Sequence, residues 1–152
     1  MNNIFDNKIK QNIAPTYLTG ILQARSYRNL RIIMTKALGK YKISMTEWAI
    51  LGLMYEDSSI SLKKIAEILD VKASLITSLI KTLMKKELLS ITINQNDKRG
   101  REINLTINGL KKVPEIEIIL RDKFKKLLND VSYIDLLTYI RILSIVANTK
   151  QV

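Results

Sequence analysis

Ser74, Thr77, Ser78, Lys81, Thr82 and Lys85 fall on one face of a helical pattern. All are small, hydroxylated or cationic, and no acid stands among them. An ordinary solvated helix face mixes Glu with Lys so that i,i+4 pairs form. Small hydroxyls let a helix backbone come close to a surface and donate to phosphates or base edges, while lysines neutralise phosphate. The alternative is a plain solvated face. A second cluster, Asp97, Lys98, Arg99 and Arg101, lies in and just after the turn NQNDKRG. Arginine at a protruding tip suits a narrow, electronegative minor groove. Asp97 could hold an arginine there by a bidentate pair. Between residues 61 and 101 nine basic residues stand against four acids, so the charge bias is local to this stretch.

The elements that position these residues are readable from spacing. Ile76, Leu79, Ile80 and Leu83 follow i, i+3, i+4, i+7 and predict a helix over about Ala73 to Lys86, its polar face outward. Before it, Ser61 caps a helix with Leu62, Ile65, Ala66 and Leu69 on one side. After it, Leu89, Ile91 and Ile93, then Ile103 and Leu105, alternate with polar residues as two arms of a hairpin. Ser44-Met-Thr-Glu47 is a capping box that opens a helix ended by Asp57-Ser-Ser. A long first helix is predicted from near Pro15 to about Leu38, ended by Gly39. Thr106 caps a helix that contains Pro114, and a bend is expected near Val113. Ser132-Tyr-Ile-Asp135 reads as a second capping box and opens the last helix. The first helix and the last two carry surplus apolar surface, which points to a second copy of the chain. The alternative is one self-contained helical core.

Composition narrows the classes. A chain of 152 residues, 47% hydrophobic and 26% charged, fits one globular domain. Its net charge of +11 implies a polyanionic partner, or serves solubility alone. With no cysteine and no histidine, disulfides, thiol chemistry and zinc sites built on either residue are excluded. The commonest acid–base side chain is missing too. The five glycines are too scattered to build a phosphate-binding loop. No catalytic residue, metal site or cofactor is expected, and the chain does not read as an enzyme. The longest apolar run, roughly Trp48 to Tyr55, is far short of a bilayer span, and the N-terminus lacks a secretory pattern. No membrane association is expected, and a cytoplasmic location follows by default.

Three stretches together resemble the MarR/SlyA-type winged-helix transcriptional regulators. They are ISMTEWAIL, LKKIAEILDVKASLITSLIKTLMKKELL, and DKRGREINLT followed by Gly109. The resemblance runs from about Pro15 to Ala147. It implies a mainly α fold with a small β-hairpin wing: a winged helix-turn-helix core between N- and C-terminal dimerisation helices. On that basis residues 1–152 form one MarR-like domain, with dimerisation helices at about 15–42 and 107–148 and the DNA-binding lobe at about 44–106. The partners implied are double-stranded DNA with a pseudo-palindromic operator and a second copy of the chain. The recognition helix would enter the major groove and the wing the minor groove, with repression of a promoter as the usual outcome. The residues expected at DNA are Lys72, Ser74, Thr77, Ser78, Lys81, Thr82, Lys85, Asp97, Lys98, Arg99 and Arg101. Many relatives also take a small aromatic effector, for which Tyr27, Arg31, Tyr41 and Trp48 are the candidates here; the other reading makes them core or interface residues. Three positions depart from the family pattern. Glu87 replaces a usual glycine after the recognition helix, which points to a differently built turn. Lys72 replaces a usual serine cap, leaving Ser74 or Asp70 to substitute. Ser78 stands where an arginine is frequent. These departures leave open a winged-helix protein-interaction module that has lost direct DNA binding.

Overall fold

The computed structural model describes residues 16–93 and 101–149. In order these are α1 (Thr16–Gly39), α2 (Met45–Glu56), α3 (Leu62–Leu69), α4 (Ala73–Lys85), β1 (Leu89–Ile93), β2 (Arg101–Leu105), α5 (Ile107–Leu127) and α6 (Tyr133–Asn148). The fold is mainly helical with one antiparallel hairpin, as its apolar periodicities predict.

The core gathers the inward face of each central element. Ile50 and Leu51 of α2, Ile65 of α3, Ile76 and Leu83 of α4, and Ile116 of α5 are almost fully removed from water. Leu38, at the end of α1, joins them. The i, i+3, i+4 spacing of these side chains is therefore what folds the lobe.

Caps fix where the helices begin. The Ser44 box is complete: Glu47 N–H donates to Ser44 Oγ at 3.2 Å, and Ser44 N–H donates to Glu47 Oε2 at 2.7 Å. Ser61 Oγ accepts from Lys64 N–H at 3.1 Å. The Ser132 box is only half formed. Ser132 Oγ accepts from Asp135 N–H, but its hydroxyl, rather than its backbone N–H, donates to Asp135 Oδ2 at 2.6 Å.

Three helices end alike. Lys42, Asp70 and Glu87 all take left-handed backbone, with φ of 55°, 50° and 58°. The next residue in each case, Ile43, Val71 or Leu88, donates its N–H back five residues, to Leu38, Ala66 or Leu83. Each is thus a Schellman closure, with an apolar residue after the turn and a buried one beneath it. Two expectations change here. Gly39 lies inside α1 and does not supply the left-handed residue, because the turn runs on to Lys42. The turn at Glu87 is built in the usual way, with glutamate taking the strain that glycine would avoid.

The hairpin pairs Leu89 with Leu105, Ile91 with Ile103, and Ile93 with Arg101. Leu89 is buried, whereas Ile91 is 42% exposed, so the hairpin leaves the core as it extends. Asn104 Nδ2 donates to Thr92 Oγ1 at 3.0 Å across the outer face. Helix α5 continues through Pro114 without a break. The proline removes the partner of the Leu110 carbonyl, and Leu110 is half exposed, within reach of water. Helix α6 has no buried residue, and Ile140 and Val146 are both 53% exposed.

Candidate nucleic-acid interface

Helix α4 turns Ile76, Ile80 and Leu83 into the core, which forces its other face outward. Ser74, Thr77, Ser78, Lys81 and Lys85 are all exposed, and Thr82 is half-buried at the margin. The two threonine hydroxyls donate back into the helix, Thr77 Oγ1 to the Ala73 carbonyl at 3.1 Å and Thr82 Oγ1 to the Ser78 carbonyl at 3.2 Å. Their oxygens remain available as acceptors. Ser74 and Ser78 make no such back-bond, which leaves their hydroxyls free to donate outward. The surface is thus flat and polar, edged by the ammonium groups of Lys81 and Lys85.

Lys72 is the residue before the helix, with extended backbone and no side-chain cap. Neither substitute operates: Asp70 closes α3 in the left-handed region, and Ser74 lies within α4. Lys72 is exposed at the same end of the helix. Leu75, which stands outside the stripe of Ile76, Leu79, Ile80 and Leu83, is 44% exposed on the flank of the same helix.

The wing is described only at its base. Arg101 begins β2 and pairs through its backbone with Ile93. Asp97, Lys98 and Arg99, and the Asp97–arginine pair, lie outside the described residues.

A partly buried ion pair stands behind α4. Lys86 Nζ reaches Glu47 Oε1 at 2.6 Å and also donates to the Lys42 carbonyl at 2.6 Å. Burial, the largest influence on Glu47, raises its pKa, but the hydrogen bonds from Lys86 and Ser44 outweigh it and hold the carboxyl below its ordinary value. Nothing in the sequence announces this pair, whose residues stand 39 apart.

The four effector candidates separate. Tyr27 and Arg31 line a cleft of about 560 Å³ between α1 and the start of α2, with Ser44, Thr46 and Leu69 on its walls. Tyr41 and Trp48 are absent from its walls and pack against the core. The Tyr41 ring lies 5.4 Å from Lys112 Nζ. Burial pushes the Tyr41 hydroxyl pKa up, and the neighbouring Glu115 carboxylate adds to the rise. A second cleft of about 500 Å³, between α1, the end of α5 and α6, is lined by Leu30, Phe124, Leu127, Leu136 and Tyr139. Among the described residues no group of three acidic, histidine or cysteine side chains could hold a metal ion, and no helix is long and apolar enough to cross a membrane.

A helix pair, an exposed acid-free second helix and a hairpin therefore occur in one unit, and residues 43–100 match the MarR family model. Over those residues the chain is similar to the MarR family. The chain is 30% identical over 93 residues to the uncharacterized HTH-type transcriptional regulator YwaE of Bacillus subtilis, covering 60% of this chain and 54% of YwaE. It thus spans about half the length of that relative. Among solved structures, the MepR–DNA complex of S. aureus superposes with a TM-score of 0.72 at 20% identity, covering 91% of this chain and all of that one. CouR of Rhodococcus jostii, bound to p-coumaroyl-CoA, gives a TM-score of 0.77 at 18% identity, covering 88% and 94%. At these identities the structures share the fold alone, and the likeness extends beyond residues 43–100 into α1, α5 and α6.

Proposed function

We propose that the chain is a homodimeric, sequence-specific duplex-DNA binder that regulates transcription, usually by occluding a promoter. The observation that carries this reading is the exposed, acid-free face of α4 set within the stretch similar to the MarR family. In this reading Ser74, Thr77, Ser78, Lys81 and Thr82 meet the major groove, and Lys72 and Lys85 meet phosphate. Asp97, Lys98, Arg99 and Arg101 belong to a wing that reaches the minor groove. The MepR structure of the same fold contains DNA, which supports the assignment. The ordinary closure at Glu87 removes one motive for a module without DNA binding.

Residues 44–106 serve as the DNA-binding lobe, and 15–42 with 107–148 as the dimerisation helices. Helix α6 supports this division, because a 16-residue helix with no buried side chain has little reason to stay folded alone. Exposed Ile21 and Leu22 of α1 and Leu137, Ile140 and Leu143 of α6 supply the apolar surface a second copy covers. Two lobes so joined suit half-sites about one DNA turn, ~34 Å, apart on a pseudo-palindrome. The cleft beside Tyr27 and Arg31 offers an aromatic face and a cation above apolar walls, which suits a small aromatic acid as effector. The ligand in CouR supports effector binding by this fold. Neither catalysis nor a membrane enters this reading, and the cytoplasm is its location.

Selection of bound sequences from random duplex DNA by the purified protein tests it, with the mass of the complex measured. The expected result is a pseudo-palindrome bound by two chains. Failure to enrich any sequence overturns the reading.

A further inference from the structure

Three segments meet at the ammonium group of Lys86. Its Nζ donates to the Lys42 carbonyl in the turn leaving α1 and to Glu47 Oε1 in the first turn of α2, both at 2.6 Å. Lys86 itself is the first residue beyond α4. The other Glu47 oxygen accepts the Ser44 N–H. The Glu47 side chain is 5% exposed and that of Lys86 26%. Neither helix needs this contact to end properly. The Ser44 box closes without Lys86, and α4 is closed by backbone bonds from Glu87 to Met84 and from Leu88 to Leu83. What the contact fixes is the relation between elements. It ties the end of α4 to the start of α2 and to the turn after α1.

We propose that Glu47 is a positioning residue for DNA binding: through Lys86 it holds the C-terminal end of α4, and so sets the angle at which the acid-free face meets a duplex. The inference rests on the reading of α4 as the DNA-contacting helix. Ser44, which Glu47 holds, also lines the cleft entered by Tyr27 and Arg31. The same carboxylate therefore joins the wall of that cleft to α4.

Glu47→Gln gives a test in which two explanations differ in sign. The substitution keeps an oxygen for the Ser44 N–H and removes the charge facing Lys86. Electrostatics alone predicts tighter binding, since an acid is removed from a protein that meets a polyanion. Positioning predicts weaker binding to the selected duplex, by about tenfold, within the range of typical site coupling, and little change on unrelated duplex. Lys86→Met should weaken selected binding too, the double variant should be no worse than the weaker single one, and Lys86→Arg should restore binding. All are measured well below the melting temperature, with circular dichroism confirming the fold. Amide exchange at residues 85–88 should quicken in Glu47→Gln. Folded Glu47→Gln that binds the selected duplex as tightly as the unaltered protein overturns the proposal, as do additive effects in the double variant. If the unaltered protein enriches no duplex, the DNA reading fails instead, and exchange alone decides: unchanged exchange at 85–88 then overturns the positioning role.

Discussion

Gly109 of α5 lies so close to the carbonyl oxygen of Leu88 that a β-carbon there would fall inside contact distance, and 3.0 Å from Leu105 Cδ2. The same oxygen accepts the Thr106 N–H at 3.1 Å, while Thr106 Oγ1 donates to the Glu87 carbonyl at 2.6 Å. The exit of α4, the entry to β1 and the start of α5 are thus one joint, and the wing springs from it.

Gly109→Ala should therefore destabilise the protein by about 2–3 kcal/mol, because the atom it strikes is backbone held by hydrogen bonds and cannot swing aside. Urea denaturation measures this. An unchanged midpoint would show that the joint gives easily.

Glu87→Gly should act in the opposite direction. A left-handed glutamate is strained by roughly 1–2 kcal/mol, and glycine gives back part of that gain as unfolded-chain freedom. A net stabilisation of about 0.5–1 kcal/mol is expected in the same denaturation assay. Destabilisation would mean that the glutamate side chain makes a contact worth more than its backbone strain.

The Glu47 carboxyl predicts the acid limb of stability. Its folded pKa lies below the ordinary value of 4.5, so the unfolded chain takes up a proton first as pH falls. Its contribution is full above 4.5 and is lost as pH falls through the folded value. Glu47→Gln should lower stability at neutral pH by about 2 kcal/mol, less than for a fully buried pair because Lys86 is partly exposed. It should also flatten the loss of stability as pH falls below the ordinary value of 4.5. Parallel curves for the two proteins would remove Glu47 from the acid transition.

Helix α6 predicts an obligate dimer. Ile140→Glu places a charge amid the apolar surface proposed to meet the second copy. Light scattering should give twice the chain mass for the unaltered protein, and either the single-chain mass or loss of folding for the variant. A monomeric, stably folded unaltered protein would contradict the dimer.

Much of the fold was legible because it rests on local rules. The Ser44 and Ser61 caps, the inward stripe of α4 and the strand alternation need only near neighbours along the chain. The Glu87 closure was harder, because residue preference argued against it while the burial of Leu83 and Leu88 on either side enforced it. The Glu47–Lys86 pair was illegible, since it depends on how α2 and α4 cross. The grouping of Tyr27, Arg31, Tyr41 and Trp48 mixed two environments for the same reason. Sequence alone placed Tyr41 and Tyr27 within 14 residues, and only the turn after α1 sends one to the core and the other to the cleft.

The most direct test of the central claim is the salt dependence of binding to the selected duplex, for the unaltered protein and for Lys81→Ala and Arg99→Ala. Steep weakening with salt is expected, and each variant should bind more weakly, since each removes a cation proposed to meet the duplex. Lys81→Ala should melt at the unaltered temperature, since Lys81 is exposed and lies outside the core. Binding that ignores salt, or that both variants leave intact, would contradict the account.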